Sequence, residues 1–362
     1  MFDVAIIGAG FAGLTCARAL RAQGLSVTVL EKSRGLGGRV ATRRVEHHCF
    51  SYGARYIKVT GPATQKLLDE LNHTDIADRP RLIPWPQTRR VVQADGRHDA
   101  ESVTDCYIPL TGMTAIAKYL ARDIPIKRQY RVNALSINAD QTWTIYVESR
   151  DEPIAVARSV VLAIPAPQAE ALLHPLLDKG LPPELLSAVQ SVEFDPCFTI
   201  VMGYSPEHSI TQVLQSDELC LPSHSDLQWI GMMRSPFSEA HDVRDGHIET
   251  TVEQPEQSTI IVAQSSPTFA AQYLEITDRQ AVGHQLLTRL GHQLNVPDIH
   301  DYDWTHMHLW RYAICRQPVR QAFLLAQAPG LIGCIGDWCG GHQLEHAITS
   351  GLALSRTLPQ HR

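Results

Sequence analysis

Apolar and polar residues at the start of the chain follow the pattern of a strand, a turn, a helix and a second strand. Residues 2–7 are apolar apart from Asp3, as in a parallel strand that is covered on both faces. Residues 11–23 carry small and apolar side chains at helical spacing, and Gly24 follows them as an expected C-cap. Residues 26–30 are the predicted second strand. This order predicts a βαβ unit at the N-terminus.

The rest of the chain alternates between helical and strand-like segments. The pattern predicts helices at 62–73, 112–121, 168–177, 278–291 and 344–358, an antiparallel pair at 131–138 and 142–148, and further strands at 159–164, 196–204, 227–233, 258–264, 302–312 and 330–335. A nucleotide domain that the chain enters early, leaves and re-enters at its end explains this order. We therefore expect one domain of residues 1–62, 106–165 and 326–362, and a second of 63–105 and 166–325.

Composition narrows the class of protein. The 362 residues are 44% hydrophobic and 19% charged, with a net charge of -6 and no long charge block, so neither nucleic acid nor an anionic membrane is an expected partner. No apolar stretch is long enough to span a bilayer, and the N-terminus has no basic region of a signal peptide. The eight cysteines form no C-x-x-C pair. A reducing, cytoplasmic location is the expectation.

A glycine fingerprint lies between the first strand and the first helix. Gly8 permits a tight turn, Gly10 lets the backbone approach a pyrophosphate, and Gly13 allows close packing of helix on strand. Glu31 ends the second strand, 18 residues after Gly13, where a carboxylate binds ribose hydroxyls. Glycines alone also mark ordinary turns. Together with the flanking elements and Glu31, however, they predict dinucleotide binding.

A second glycine-rich turn follows the ribose acid directly. Residues 31–39 read Glu-Lys-Ser-Arg-Gly-Leu-Gly-Gly-Arg, and a domain that binds only NAD does not need this turn. A flavoprotein does, because backbone and an arginine must lie beside the pyrophosphate and the ribityl chain. The alternative is a surface turn with stray charges. The register with the first fingerprint favours FAD.

These residues resemble the signature of flavoproteins of the amine-oxidase type, and in more detail the renalase group. The shared blocks are Lys32-Ser33-Arg34-Gly35 with Gly37-Gly38-Arg39, Tyr52-Gly53-Ala54-Arg55-Tyr56, Ala163–Ala169, Trp310–Ala313, Gly336–Cys339 and Ser350-Gly351. The resemblance is loose over 166–300. It implies an α/β fold: a Rossmann-like FAD-binding domain of the GR2 flavoprotein type, with an interleaved α+β substrate domain built on a mixed or antiparallel sheet.

The resemblance also implies the residues that hold a non-covalent FAD. They are Gly8, Ala9, Gly10, Phe11, Ala12 and Gly13 at the pyrophosphate, Glu31 at the ribose, Lys32, Arg34, Gly38 and Arg39 around the phosphates and ribityl chain, Gly53 and Ala54 beside the flavin, Val132 at the adenine, Ala163, Gly336 and Asp337 along the cofactor, and Glu345 and Ala347 at the flavin ring. One position departs from the family pattern, because His346 replaces the usual glycine. Its side chain either crowds the flavin or supplies a charge beside it.

Candidates for contact with the substrate are few, since flavin chemistry needs mainly orientation and exclusion of water. Trp310 and Tyr312 alternate with Arg311 on a predicted strand, so both rings are expected on one face, as a substrate wall or as core. Tyr56 and His346 are weaker candidates. His306 and His308 also share a face, but no third ligand is evident, so no metal site is predicted.

Three functions remain open at this stage. The first is a renalase-like FAD oxidase, which takes a hydride from isomeric dihydronicotinamide dinucleotides and passes electrons to O2 as hydrogen peroxide. The second is an amine oxidase or desaturase. The third is a flavin-bound module that only binds a partner. Small-molecule substrates are expected in the first two.

Overall fold

A computed structural model describes residues 1–45, 48–73, 80–95, 97–214, 216–222, 224–234 and 259–361. The strands are β1 Phe2–Ile7, β2 Val27–Glu31, β3 Thr42–Val45, β4 His48–Ser51, β5 Ile57–Lys58, β6 Leu82–Pro84, β7 Thr88–Val92, β8 His98–Ser102, β9 Cys106–Pro109, β10 Ile126–Arg128, β11 Val132–Ile137, β12 Trp143–Val147, β13 Ala155–Leu162, β14 Glu193–Tyr204, β15 Glu218–Cys220, β16 Leu227–Arg234, β17 Thr259–Ser265, β18 Trp304–Gln317, β19 Leu324–Ala326 and β20 Ile332–Cys334. The helices are α1 Phe11–Ala22, α2 Pro62–His73, α3 Thr114–Leu120, α4 Ala166–Leu173, α5 Pro183–Gln190, α6 Ser209–Val213, α7 Pro267–Gln272, α8 Arg279–Leu294 and α9 Leu344–Thr357, with 3-10 turns at His174–Lys179 and Leu358–His361.

The first sheet contains the N-terminal βαβ unit. Strands β10, β2, β1 and β13 run parallel, and β20 joins the second half of β13 in the same direction. The first half of β13 pairs antiparallel with β12, which pairs with β11. Apolar residues of β1 alternate between two cores: Val4 and Ile6 pack with α1, α3 and α9, whereas Ala5 and Ile7 pack with α4 and α5. A sheet covered on both faces explains the continuous apolar run.

Helices α1 and α9 pack closely where small residues meet. A Cβ at Gly351 would lie 2.5 Å from the carbonyl oxygen of Ala12. The N-terminal and C-terminal segments of the chain therefore form one layer against the first sheet.

The second sheet has the order β18, β14, β17, β16, β15, β7, β8 and is antiparallel except where β15 pairs with β7. Alternation gives it two different faces. One face carries Phe198, Ile200 and Ala263, which pack with Leu286 and Leu290 of α8. The other face carries polar and aromatic residues and lies against residues 52–56. We call it the inner face; its members are Arg89, Glu218, Trp229, Gln264, His306, His308 and Trp310.

The structure confirms the expected fold class, the antiparallel pair β11 and β12, and most predicted helices. The predicted helix 168–177 begins earlier and continues after Leu173 as a 3-10 turn, because Pro175 has no amide hydrogen for an α-helical bond. Residue 258, the first of the predicted run 258–264, lies outside the described residues. Strands β7 and β8 bring residues 88–102 into the second sheet; the division into two domains stays a prediction.

Candidate functional site

Two glycines of the first fingerprint are required by close backbone contacts. Gly8 has a φ of +108°, and a Cβ there would lie 2.4 Å from the carbonyl oxygen of Ala163. A Cβ at Gly13 would lie 2.1 Å from the carbonyl oxygen of Gly8. At Gly10, in contrast, a Cβ would meet nothing within 4 Å. Gly10 therefore faces open space, which a close-lying ligand group can use.

The helix start beside Gly10 is prepared for an anion. No side chain caps the N-terminus of α1, and the first amide groups of a helix have no partner within the helix. These groups and the helix dipole together favour phosphate. Glu31 is buried beside the turn, where its carboxylate accepts hydrogen bonds from the amides of Ala9 (2.8 Å) and Ser33 (2.7 Å). We call residues 8–13 with Glu31 the phosphate cradle.

The second glycine turn lies directly on the cradle. The amide of Gly37 donates to the carbonyl of Ala9 at 2.9 Å, and Gly10 and Gly37 form an isolated bridge. Gly37 and Gly38 have φ values of +101° and +58°, a region that favours glycine. Beyond them, Arg39 pairs with Asp337 at 2.5 Å. The structure thus brings two predicted FAD contacts from opposite ends of the chain together.

Residues 52–56 contact the same turn. A Cβ at Gly53 would lie 1.9 Å from the carbonyl oxygen of Arg39, which also accepts the amide of Ala54 at 2.8 Å. Gly53 is therefore glycine for steric reasons. The contact places the segment that the family resemblance assigns to the flavin next to Arg39.

Other predicted cofactor contacts surround the carboxyl ends of the parallel strands. The amide of Tyr130 donates to the carbonyl of Glu31, so Val132 follows close to the end of β2. Burial lowers the pKa of Lys32, with a further contribution from Arg131, and its ammonium lies 3.4 Å from the side-chain oxygen of Gln168. The remaining predicted contacts in this region lie at these strand ends and the following turns: Arg34, Ala163 and Gly336.

At the start of α9, the side chain of Glu345 has protein partners that the sequence did not predict, and its role beside the flavin stays a prediction. Glu345 turns away to α2 and accepts the amides of Ala63 (2.9 Å) and Thr64 (2.7 Å) and the hydroxyl of Thr64 (2.7 Å). Burial alone would raise the pKa of Glu345, but the hydrogen bonds from Thr64 and Ala63 lower it overall. Its carboxylate is therefore the cap of a second helix. Ala347 lies buried behind it.

His346 folds back on its own helix. Its Nδ1 accepts the amide of Gln343 at 3.4 Å, and the Gln343 side chain accepts the amide of His346, which is a capping box. A Cβ at Gly341 would lie 2.3 Å from the imidazole Nε2. The His346 side chain therefore accepts a capping hydrogen bond that glycine at this position could not accept. The role of His346 beside the flavin stays a prediction.

Trp310 and Tyr312 have different neighbours. Trp310 stacks on Tyr52 with ring centroids 5.3 Å apart, and its indole N–H donates to the Tyr52 carbonyl at 2.9 Å. Tyr312 contacts Phe194 edge-on at 5.7 Å, and its carbonyl accepts Arg39. The pairing of β14 with β18 is irregular between these positions, which separates the two rings. Arg311, which alternates with the two rings along the strand, pairs with Glu275.

Tyr52 and Trp310 belong to a larger aromatic group. His308 lies 5.2 Å from Tyr52 and 4.3 Å from Trp310, and His306 lies 5.8 Å from Tyr52. Burial, Arg43 and His308 lower the pKa of His306 to about 4, and burial and Arg43 lower that of His308. Both imidazoles are therefore neutral at pH 7. We call Tyr52, His306, His308 and Trp310 the aromatic wall.

A buried ionic cluster beside the wall escaped the sequence analysis. Glu218 is fully buried and accepts Arg89 Nε at 2.6 Å and the indole N–H of Trp229 at 2.5 Å. Arg89 also donates to the hydroxyl of Tyr56 at 3.0 Å, so this predicted substrate residue belongs to the cluster. Burial is the main cause that raises the pKa of Tyr56 to about 12. Only Arg55 and Tyr56, both inside the block Tyr52–Tyr56, gave a sequence signal here.

Two absences hold for the described part of the chain. No group of three or more histidine, cysteine or acidic side chains there is suited to a metal ion. No helix there is long and apolar enough to cross a membrane.

The residues of the cradle fit the adenosine diphosphate part of FAD. Gly10 leaves space where a backbone must approach phosphate, the helix start offers amides, and Glu31 lies where a ribose is expected. Redox chemistry at this site would come from the bound isoalloxazine ring. Cys339 is buried and its thiol pKa is raised well above 9.0 by burial, which disfavours a thiolate there.

Comparison with known proteins agrees with this geometry. The family described as flavin-containing amine oxidoreductase matches residues 101–353, and an NAD(P)-binding Rossmann-like domain matches residues 6–71. The putative flavin-containing monoamine oxidase AofH of Mycobacterium tuberculosis is 34% identical over 134 residues, covering 34% of this chain and 27% of that protein. Pseudooxynicotine dehydrogenase of a Pseudomonas species is 39% identical over 61 residues, 17% of this chain and 12% of the relative. The matched segments thus span about a quarter or less of these relatives.

Solved structures show the same fold over the whole chain. Cyclohexylamine oxidase from Brevibacterium oxydans superposes with a TM-score of 0.70 at 14% identity, covering 99% of both chains. A putrescine oxidase triple mutant gives a TM-score of 0.69 at 14% identity, covering 100% of this chain and 99% of the other. Since the family pattern covers most of the sequence, the chain belongs to the flavin-containing amine oxidoreductases, a family of FAD-dependent oxidoreductases.

Proposed function

We propose that this protein is an FAD-dependent oxidase that takes a hydride from an isomeric dihydronicotinamide dinucleotide, as the renalase group does. The bound FAD would accept the hydride, releasing the oxidised nicotinamide, and would pass two electrons with two protons to O2, giving hydrogen peroxide. The resemblance in the blocks 32–39, 52–56 and 310–313 supports this choice within the family.

The aromatic wall is the observation that carries the proposal. Tyr52 and Trp310 are stacked, half-buried, and lie beside Gly53, whose Cβ position is 3.1 Å from the Trp310 ring. A flat dihydropyridine ring is a suitable partner for such a surface. The two neutral histidines leave the wall uncharged at pH 7.

The charges around the wall support a hydride donor that carries no ammonium group. The cation Arg43 lies next to the wall and contacts His306 at 3.2 Å, and a second cation, Arg55, follows Tyr52 by three residues and lies over Trp229. An alkylammonium ion would be repelled by these side chains. Oxidation of a dihydronicotinamide also needs no base to remove a proton, because loss of hydride alone restores the aromatic ring.

The test is anaerobic stopped-flow mixing of the holoenzyme with dihydronicotinamide dinucleotides reduced at ring carbon 2 or 6. We expect rapid bleaching of the visible flavin band, followed by peroxide formation when O2 is admitted. The ordinary isomer, reduced at carbon 4, is the matched control and should react much more slowly. A flavin that stays oxidised with the carbon-2 and carbon-6 isomers rejects the proposal.

Oxidation of a small amine is the second candidate. Family membership and the likeness to proteins named as amine oxidases support it. A panel of primary and secondary amines with coupled peroxide detection separates the two candidates. Turnover of an amine together with no flavin reduction by any dihydronicotinamide would favour the second.

A further inference from the structure

The inner face carries a row of polar side chains that crosses several strands. Strand pairing places Arg89 opposite Glu218 and Trp229 opposite Gln264. Because Glu218 pairs with Gly231, two residues from Trp229, all four side chains share one face. Arg55, from residues 52–56, lies over this row, with its guanidinium 4.5 Å from the Trp229 ring.

The carboxylate of Glu218 lies between two arginines, Arg55 and Arg89. Glu218 is engaged by Arg89 and by Trp229, whereas Arg55 Nη1 is 4.0 Å from its nearer oxygen, beyond hydrogen-bond distance. The half-exposed Glu101 lies 3.7 Å from Arg89 and offsets charge at the outer end of the row. The Arg55 end has no such second acid among the described residues.

Arg55 is held in place by groups that leave its fork free. Its Nε donates to Gln264 Oε1 at 2.9 Å, and Gln264 Nε2 donates to the Gly53 carbonyl at 3.0 Å. Within the described part of the chain, neither η nitrogen makes a hydrogen bond. About 26% of the side-chain surface remains accessible. The guanidinium is thus oriented through its ε nitrogen and through the Trp229 ring, with its two η nitrogens available.

A poorly solvated guanidinium that shares one carboxylate with a second arginine is incompletely paired, and its fork matches the oxygens of a further carboxylate or phosphate. Burial also lowers the pKa of Arg55, which is the direction expected for a cation that lacks a full counter-charge.

We propose that Arg55 receives an anionic oxygen group of the substrate, a phosphate or a carboxylate, and so makes this enzyme selective for anionic hydride donors. The inference rests on the proposed function, in which the donor is a dinucleotide with a pyrophosphate. It deepens that function by assigning a recognition residue. The linked contacts Arg55, Gln264 and Gly53 keep the anion site next to the segment that the family resemblance places along the flavin.

The test uses probes that bind without being oxidised. The holoenzyme is titrated with benzoate, phenyl phosphate and neutral benzamide, and binding is read from the perturbed flavin spectrum. We expect at least one of the anions to bind the native protein more tightly than benzamide. Arg55→Met should weaken anion binding roughly 10- to 100-fold and leave benzamide unchanged. Arg311→Met removes an exposed arginine from the other side of β18 and is the matched control.

Each outcome decides the matter. Benzoate and phenyl phosphate distinguish a carboxylate site from a phosphate site. Anion affinity that is unchanged in Arg55→Met, or that falls together with benzamide affinity, overturns the proposal, as does a native protein that binds neither anion. If Arg55→Met does not retain FAD, Arg55→Lys replaces it, because lysine keeps the charge but loses the fork; native anion affinity in that variant also overturns it.

The titration is independent of turnover. A native protein that binds anions through Arg55, but whose flavin no dihydronicotinamide reduces, would reject the proposed function and keep the anion site. Conversely, the native protein's flavin could be reduced by those donors while Arg55→Met binds anions with native affinity. That result would keep the proposed function and reject the anion site.

Discussion

The phosphate cradle and the inner face of the second sheet are specified in opposite ways. The cradle is built mostly within the first 40 residues, and its key positions work because they lack a side chain. The inner face is assembled from residues as far apart as Arg55, Glu218 and Trp310, and it works through long polar and aromatic side chains. A site of the first kind has no room for a side chain at Gly8 or Gly13, whereas a site of the second kind depends on which side chains the strands bring to one face.

The two regions also differ in how the rest of the protein holds their residues in place. Gly8 and Gly13 are fixed by the backbone of the fold, but Gly10 faces only open space. On the inner face, each polar group is held by one or two others, as Glu218 is by Arg89 and Trp229. Changes there should therefore have graded effects.

The largest expected effect is that of Gly10→Ala on FAD binding. Its Cβ meets no protein atom, so the free energy of unfolding of the apoprotein should stay within about 0.5 kcal/mol of the native value. The affinity for FAD should fall roughly 100-fold, about 2.7 kcal/mol, because the methyl group occupies the space of the pyrophosphate approach. Fluorescence titration of the apoprotein with FAD measures this.

Gly35→Ala is the matched control, since a Cβ there also meets nothing within 4 Å. It should bind FAD normally. Equal affinities of the two variants would contradict the assignment of Gly10 to the cradle.

Glu345→Gln should mainly affect stability. The substitution removes a negative charge at the start of α2. It also replaces one of the two oxygens that accept hydrogen bonds from Ala63 and Thr64, so the free energy of unfolding should fall by about 1–2 kcal/mol. The pKa of Glu345 is lowered, so its contribution is present above the ordinary value near 4.5 and is lost as the pH falls through the folded-state value. Denaturant unfolding at pH 7 and pH 3 measures both effects.

Glu275→Gln, in the exposed pair with Arg311, is the control and should change stability little. If Glu345→Gln instead lowers FAD affinity and leaves stability intact, Glu345 acts in FAD binding rather than as a helix cap.

Trp310→Leu tests the aromatic wall. Loss of the indole as a stacking surface should weaken binding of a dihydronicotinamide donor about tenfold, since an aromatic pair of donor ring and indole would contribute about 0.5–1.5 kcal/mol beyond area burial. FAD occupancy should not change. The dependence of the anaerobic reduction rate on donor concentration measures this, and Trp310→Phe should recover most of the affinity. An unchanged dependence in Trp310→Leu would remove the wall from the substrate site.

The smallest expected effect concerns the charge of the wall. The pKa of His306 is lowered from 6.5 to about 4, so between these values the unfolded chain binds a proton that the folded protein does not. Stability therefore falls as the pH drops through this window. The loss in melting temperature from pH 7 to pH 5 should be slightly smaller in His306→Gln than in the native protein or in His174→Gln, an exposed control. Equal losses of melting temperature in the three proteins would argue against a neutral His306 in the folded protein.

Much of the cradle was predictable because its logic is local. The spacing of Gly8, Gly10 and Gly13, followed by Glu31, encodes a turn, a helix start and a strand end in one continuous segment. The antiparallel pair β11 and β12 and helix α9 also followed from periodicity. The side-chain direction of Glu345 did not, because its partners Ala63 and Thr64 lie about 280 residues away in sequence.

The sequence by itself determined the βαβ unit, the FAD class and the family, since each depends on short-range patterns of glycine, charge and hydrophobicity. Only the tertiary structure decided that Glu345 caps α2, that His346 caps its own helix, and that Trp310 stacks on Tyr52 while Tyr312 contacts Phe194. It alone brought Arg55 over Glu218 and Trp229. The physical reason is that a hydrogen bond or an ion pair depends on distance in space, and strand pairing joins residues that no local pattern relates.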